Sequence, residues 1–116
     1  MKEILHILND NNLIYKSLEE LDKKALGTRT KVGLYKAIDR NGYFTILFKI
    51  ERKSRVLKKD VLVYEQLVQT ISQALEHNFK FKVALINAPL CSKAKALLKE
   101  NGWLVQQTSA LGMQGL

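Results

Sequence analysis

The segment Ile50-Glu51-Arg52-Lys53-Ser54 holds the residues whose types and spacing come nearest to a chemical motif. A glutamate and a lysine with one residue between them point to the same side of a β-strand, because side chains alternate between its two faces. The simplest interpretation of Glu51 and Lys53 is an ion pair on the surface or across two strands. A chemical role depends on whether a second acid lies beside Glu51.

The remaining composition excludes several other kinds of site. A single cysteine, Cys91, rules out an internal disulfide and a cysteine-based zinc cluster. The 116 residues are 47% hydrophobic and 26% charged, which is typical of one globular α/β domain. The apolar runs are too short to span a bilayer, and the N-terminus does not resemble a signal peptide. We therefore predict no membrane partner and a cytoplasmic location.

The net charge of +8 is concentrated in one part of the chain. Residues 23–59 contain twelve basic and two acidic residues, whereas the rest of the sequence has a small excess of acids. Such a field attracts polyanions and accelerates their encounter with the protein. Nucleic acid is the predicted partner; an acidic protein and a surface that serves only solubility are the alternatives.

The candidate nucleic-acid-binding residues lie in and after a predicted hairpin, where they would neutralise phosphates without reading sequence. They are Arg29, Lys31, Lys36, Arg40, Lys49, Arg52, Lys53, Arg55, Lys58 and Lys59. Tyr35 and Tyr43 stand among these charges and are candidates for stacking on unpaired bases. Packing within the sheet is the competing interpretation of both tyrosines.

The elements that would position these residues follow from periodicity. A helix is predicted over residues 13–26, on apolar positions three and four residues apart: Ile14, Leu18, Leu21 and Ala25. Residues 31–39 and 43–53 are rich in aromatic and branched side chains and are joined through Asn41-Gly42, a strong signal for a two-residue hairpin turn. Phe44, Ile46, Phe48 and Ile50 should face the core, with Glu51 and Lys53 on the other side.

The second half of the chain alternates helices and strands. After a short strand at Val56-Leu57, we predict a helix over residues 60–77, capped by Asp60. A strand over 80–87, a helix over 89–101 and a strand over 103–105 follow. Residues 1–105 form one predicted α/β domain with a mixed sheet and helices on both faces, and residues 106–116 a flexible tail. The order is α-β-β-(β)-α-β-α-β.

This order of elements resembles the restriction-endonuclease-like fold, whose core runs α-β-β-β-α-β, over about residues 13–105. Glu51-Arg52-Lys53 looks like the ExK half of the family's PD-(D/E)xK motif, and Gln66 is similar to a glutamine that some relatives carry on the next helix. The resemblance implies a nuclease in which an aspartate and the glutamate bind Mg²⁺. Glu51 would then be a catalytic metal ligand, and Lys53 would orient the water that attacks a phosphodiester.

The aspartate of that motif is the missing part. Asp39 stands twelve residues before Glu51, an interval similar to the family's. If Asn41-Gly42 forms the whole loop, Asp39 lies opposite Phe44, and Glu51 lies opposite Val32. Seven residues of strand, about 23 Å at roughly 3.3 Å per residue, then separate the two acids. Since two carboxylates that share Mg²⁺ must almost touch, this register excludes Asp39 as the second ligand.

Two further features bear on the motif. Arg52 replaces the apolar residue that is usual between the acid and the lysine, and it should point to the core side of the strand. A carboxylate from the predicted first helix, Glu19, Glu20 or Asp22, could complete a metal site, although nothing in the sequence places it beside Glu51. Three interpretations therefore stay open for Glu51 and Lys53: a structural ion pair, a working metal site, and a degenerate nuclease scaffold that still binds nucleic acid.

We predict a restriction-endonuclease-like domain that binds nucleic acid, with Mg²⁺-dependent hydrolysis conditional on a second acid. The alternative from another class is a non-catalytic interaction module that docks an acidic partner protein. An exposed hairpin edge is also compatible with a homodimer.

Overall fold

A five-stranded mixed sheet organises the chain, and the computed structural model describes residues 15–27, 31–76 and 78–107. The elements in chain order are β1 Ser17–Glu20, α1 Lys23–Leu26, β2 Gly33–Ile38, β3 Phe44–Glu51, α2 Lys58–Leu75, β4 Phe81–Asn87, α3 Ser92–Glu100 and β5 Trp103–Gln107. The strands lie side by side in the order in which they occur in the chain. Pairing is antiparallel from β1 to β3 and parallel from β3 to β5.

The predicted hairpin is present, but its register differs by one residue from the prediction. Ile38 rather than Asp39 lies opposite Phe44, so the loop has three residues, 40–42. Gly42 adopts a left-handed conformation with φ of 86°, which glycine tolerates without steric cost. A three-residue loop that ends in a left-handed glycine is a common alternative to the two-residue turn, and both share the Asn-Gly signal. The ladder between β2 and β3 ends at Gly33 and Lys49, so Glu51 does not lie opposite Val32 in it as predicted.

The helix predicted over residues 13–26 is wrong in its central part. Residues 17–20 form β1, and only Lys23–Leu26 are helical, with Asp22 capping them. Leu18 packs on one face of the sheet and Leu21 on the other, as a strand arrangement allows. The apolar residues spaced three and four apart therefore do not lie on one buried face of a helix. The segment pairs instead with the edge that β2 offers.

The hydrophobic core lies mainly between one face of the sheet and the two long helices. Alternate residues of β3 point into it, as predicted, and Ile46, Phe48 and Ile50 are almost fully buried. Buried residues of both α2 and α3 belong to this same cluster. Within the described residues the two long helices thus cover the same face, and the prediction of helices on both faces is not met there. The opposite face holds a smaller cluster around Leu47 and Leu85.

Several predicted boundaries shift by a few residues. The short strand predicted at Val56-Leu57 is reduced to an isolated bridge between Val56 and Leu90. Helix α2 ends at Leu75 with Glu76 in a left-handed conformation. Helix α3 begins at Ser92, because the Pro89 carbonyl accepts a hydrogen bond from the Val56 amide. Strand β5 extends to Gln107, and the rest of the predicted tail lies outside the described residues.

Trp103 anchors the helical layer to the parallel part of the sheet. Its ring is 4% exposed and packs edge-on against Phe48, with centroids 5.0 Å apart. The indole N–H donates to the Glu65 carboxylate of α2, which also pairs with Lys82 at 3.3 Å. Trp103 is thus part of the hydrophobic core. No helix within the described ranges is long and apolar enough to cross a membrane.

Candidate functional site

Glu51 is the last residue of β3 and lies at the carboxyl end of the sheet, beside Asn87 of β4. Its carboxylate pairs with the Lys49 ammonium at 3.2 Å. Lys49 stands two residues earlier on the same side of the strand, and its side chain is only 12% exposed against 50% for Glu51. The ion pair considered for Glu51 is therefore formed with Lys49. Lys53 is exposed in the segment that follows β3.

Arg52 points to the opposite side of β3 and is held by α2. Its Nε donates to the Ser54 hydroxyl at 2.9 Å, and its Nη1 lies 3.4 Å from the Asp60 carboxylate. Burial raises the pKa of Tyr64 above its ordinary value, and a hydrogen bond that its hydroxyl accepts from Arg52 partly offsets this rise. The orientation predicted for Arg52, toward the core side, is confirmed. The arginine connects the end of β3 to the helix that follows it.

Asp60 has a second role at the start of α2. Its Oδ2 accepts a hydrogen bond from the Leu57 amide at 2.8 Å, so the carboxylate satisfies one of the free N–H groups there. Asp60 is the third residue of the helix, whereas the sequence suggested that it would precede the helix. Its negative charge also suits the positive end of the helix dipole. Sequence analysis did not identify Asp60 and Tyr64 as partners of Arg52, because α2 brings them there from eight and twelve residues away.

A cleft of about 380 Å³ lies beside this end of the sheet. Two acids line it, Glu51 and Asp60, together with the cations Lys31 and Arg52. Each acid already has a cationic partner, since Glu51 pairs with Lys49 and Asp60 with Arg52. The charges of both carboxylates are thus largely balanced within the protein.

The residues of this cleft do not fit the Mg²⁺ site that the sequence resemblance implies. A divalent ion needs several oxygen ligands free to turn toward it, and an ammonium at 3.2 Å from Glu51 competes for the same oxygen. No group of three or more His, Cys, Asp or Glu side chains suited to a metal ion occurs in residues 15–27, 31–76 and 78–107. We therefore derive no metal-dependent step from this arrangement.

Asp39 lies at the other end of β3 despite the changed register. Its Oδ1 accepts hydrogen bonds from the Asn41 and Tyr43 amides, both at 2.9 Å. The carboxylate thus stabilises the three-residue loop that reverses the chain. With β3 running the full distance between them, Asp39 and Glu51 cannot share one ion.

Two of the three acids considered as replacements have roles within their own part of the structure. Glu19 pairs with Lys36 across β1 and β2 at 3.3 Å. Asp22 caps α1 through a 3.0 Å hydrogen bond from the Lys24 amide. Glu20 is an exposed residue at the end of β1. The helix predicted to contain these acids is replaced by a strand and one short helix.

The predicted basic residues divide into two groups. Lys36, Lys49 and Arg52 each pair with an acid. Five others are exposed near the carboxyl end of β3, and we call them the basic surface: Lys31, Lys53, Arg55, Lys58 and Lys59. Arg40 is exposed in the hairpin loop at the other end of the sheet, and Arg29 lies outside the described residues. Of the two candidate stacking residues, Tyr35 is buried and Tyr43 is 42% exposed.

Comparisons with known proteins identify the fold. No protein-family model matches the chain, and no curated protein matches it. Among solved structures, EndoMS in its apo form aligns over 91% of this chain with a TM-score of 0.57 and 18% identity. A repair endonuclease from Pyrococcus abyssi aligns over 90% with a TM-score of 0.54 and 16% identity.

A third structure, an EndoMS complex with dsDNA, aligns over 92% of this chain with a TM-score of 0.51 and 14% identity. The chain spans 44% of the length of each of these three structures. At such low identity the likeness concerns the arrangement of helices and strands. The mixed five-stranded sheet and its helices therefore give this chain a restriction-endonuclease-like fold.

Proposed function

We propose that this chain is a nucleic-acid-binding domain that contacts phosphates through the basic surface at the carboxyl end of β3. The observation that carries the proposal is the concentration of exposed cations: four of the five lie within residues 53–59, a segment without an acid. Lys36, Lys49 and Arg52, by contrast, each form an ion pair with an acid. The basic surface therefore keeps its charge available for an anionic ligand.

The position of Lys58 and Lys59 supports this proposal independently. They are the first two residues of α2, where backbone N–H groups already create a positive potential. Lysines at this end of a helix are unfavourable for its stability, so their presence is not explained by folding. Together with the N–H groups they suit a phosphate. The dsDNA in one structural neighbour is consistent with this class of ligand.

The experiment measures binding of a fluorescently labelled DNA duplex between about 50 and 200 mM salt. One variant replaces Lys53, Arg55, Lys58 and Lys59 with glutamine. A matched variant replaces four exposed lysines elsewhere, Lys16, Lys24, Lys93 and Lys99, and so changes the net charge equally. We expect the first variant to reduce the slope of log affinity against log salt by about 3 to 4, and the second to change it by less than about 1.

Equal losses in the two variants would contradict a local basic surface and indicate attraction by net charge alone. An acidic polypeptide serves as the competing ligand. If it binds more tightly than the duplex and the first variant abolishes that binding, the protein-interaction module replaces our proposal. Hydrolysis is not part of the proposal, because Glu51 and Asp60 are both engaged in ion pairs.

A further inference from the structure

Two exposed aromatic rings touch at the end of the sheet where the hairpin turns. Tyr43 follows the hairpin loop, and Phe81 is the first residue of β4. Their ring centroids are 6.1 Å apart and their planes are nearly perpendicular. Tyr43 is 42% and Phe81 43% exposed. Single exposed aromatic residues are common, but a contacting pair is an organised apolar surface.

Lys80 adds a positive charge to this pair. Its ammonium lies 3.6 Å from the centroid of Tyr43 and 5.8 Å from that of Phe81. The Lys80 amide donates to the Phe44 carbonyl at 2.9 Å, which fixes the backbone below the rings. We call Tyr43, Lys80 and Phe81 the aromatic platform.

The neighbouring lysines differ from Lys80 in their partners. Lys36 and Lys82 also lie near aromatic rings, but they pair with Glu19 and Glu65 respectively. No carboxylate in the described part of the chain pairs with Lys80. The platform therefore combines an uncompensated cation with two accessible rings. Packing does not explain why the Phe81 ring is exposed. It also does not explain why no acid of the described residues lies beside Lys80.

We propose that the aromatic platform binds an unpaired nucleotide of a single-stranded nucleic acid. A base stacks on one of the exposed rings and meets the other at its edge, and the Lys80 ammonium contacts the adjoining phosphate. Stacking is possible for any base because every base has an aromatic face, so the site would be tolerant of sequence. This inference rests on the proposed function and names its ligand class: a strand with unpaired bases.

The two surfaces lie at opposite ends of β3. The eight residues of this strand span about 23 Å at roughly 3.3 Å per residue. A duplex bound at the basic surface can therefore reach the aromatic platform only through a single-stranded extension. That extension needs several nucleotides to cover the length of β3. A substrate with a duplex and a single-stranded extension would engage both surfaces.

The test compares a blunt duplex with an oligo(dT) strand of about 16 nucleotides, a length that covers typical single-strand sites. Tyr43→Ala and Phe81→Ala should each weaken binding of the single strand by about 5- to 150-fold. Both should change duplex binding by less than about twofold, because phosphate contacts at the basic surface remain. Leu104→Ala is the matched control, since Leu104 is 45% exposed on β5 and apolar. It should leave both affinities unchanged.

A second measurement detects stacking directly and needs no variant. A strand that contains 2-aminopurine should lose fluorescence when it binds the wild-type protein, because stacking quenches that base. Tyr43→Phe should keep the quenching, whereas Tyr43→Ala should reduce it.

Three outcomes would overturn the inference. Unchanged single-strand affinity in both alanine variants, or an equal loss on the two ligands, would show that the rings do not stack on bases. Binding of the strand without any change in fluorescence would lead to the same conclusion. Salt-dependent duplex binding that persists in these cases would leave the proposed function intact. If the wild-type protein binds neither ligand, the proposed function and this inference both fail.

Discussion

The two ends of β3 carry the same kind of side chain in different roles. At the carboxyl end, Glu51 and Asp60 pair with Lys49 and Arg52. At the turn end, Asp39 accepts two backbone hydrogen bonds and has a role in the loop rather than in an ion pair. The comparison shows that the donors around an acid determine its role. An interval of twelve residues between two acids does not indicate that they act together.

The cations at the two ends differ in a corresponding way. Near the carboxyl end, exposed lysines and an arginine lie together in the segment after β3. At the turn end, Lys80 lies over an aromatic ring and pairs with no carboxylate of the described residues. The first arrangement suits phosphates in any strand, and the second suits a base next to a phosphate. Substitution of Asp60, Asp39 and Glu51 tests whether the acids at the two ends of β3 have the different roles described above.

Asp60→Ala should have the largest effect. We expect the free energy of unfolding to fall by about 2 kcal/mol, because the Leu57 amide and the Arg52 guanidinium both lose their acceptor. Urea denaturation followed by circular dichroism measures the change. Asp60→Asn is the control, since it keeps an acceptor for the amide and should lose less. A fall below about 0.5 kcal/mol for Asp60→Ala would show that the carboxyl end is not held together by this acid.

Asp39→Ala should have an intermediate effect. We expect a loss of about 1 kcal/mol, because two loop amides lose their acceptor while remaining accessible to water. The same denaturation experiment measures it. Asp39→Asn retains a side-chain oxygen in the same place and should cost less than about 0.5 kcal/mol. If asparagine is as harmful as alanine, the charge of Asp39 matters and its role is not limited to the loop.

Glu51→Gln should have the smallest effect. The Glu51 side chain is half exposed, so the free energy of unfolding should change by less than about 1 kcal/mol. Millimolar MgCl₂ should leave the melting temperature of the wild type and of this variant unchanged, because a ligand stabilises only a protein that has a site for it. Thermal denaturation with and without the salt provides the measurement. A Mg²⁺-dependent rise that Glu51→Gln abolishes would contradict our account of Glu51 and make hydrolysis the first hypothesis.

Parts of the fold could be predicted from the sequence, because the spacing of their apolar residues matches the face that is buried. The strand that contains Phe48 has an apolar residue at every second position from Phe44 to Ile50, and the helix that contains Tyr64 repeats its apolar residues every three or four positions. The structure confirms both. The prediction of a helix at residues 17–20 is wrong, because the spacing of Leu18 and Leu21 fits a helix or a strand. Pairing with the edge of β2 decided between them.

The candidate site was also only partly predictable from the sequence. The sequence identified the stretch of positive charge, the ExK-like segment and the lack of an acid opposite Glu51. It did not identify which cations are paired, because Asp60 reaches Arg52 only after α2 has packed on the sheet. The contact between the rings of Tyr43 and Phe81 could not be predicted either, because β3 and α2 separate the two residues in the chain.

The sequence by itself determined the chain's charge distribution, most of its elements and its resemblance to a nuclease fold, because these depend on residue type and short-range spacing. The tertiary structure decided the strand at residues 17–20, the ion pair between Glu19 and Lys36, and the pairing of Arg52 with Asp60. Those features depend on contacts between segments distant in the chain, and such contacts form only when the sheet and its helices are assembled.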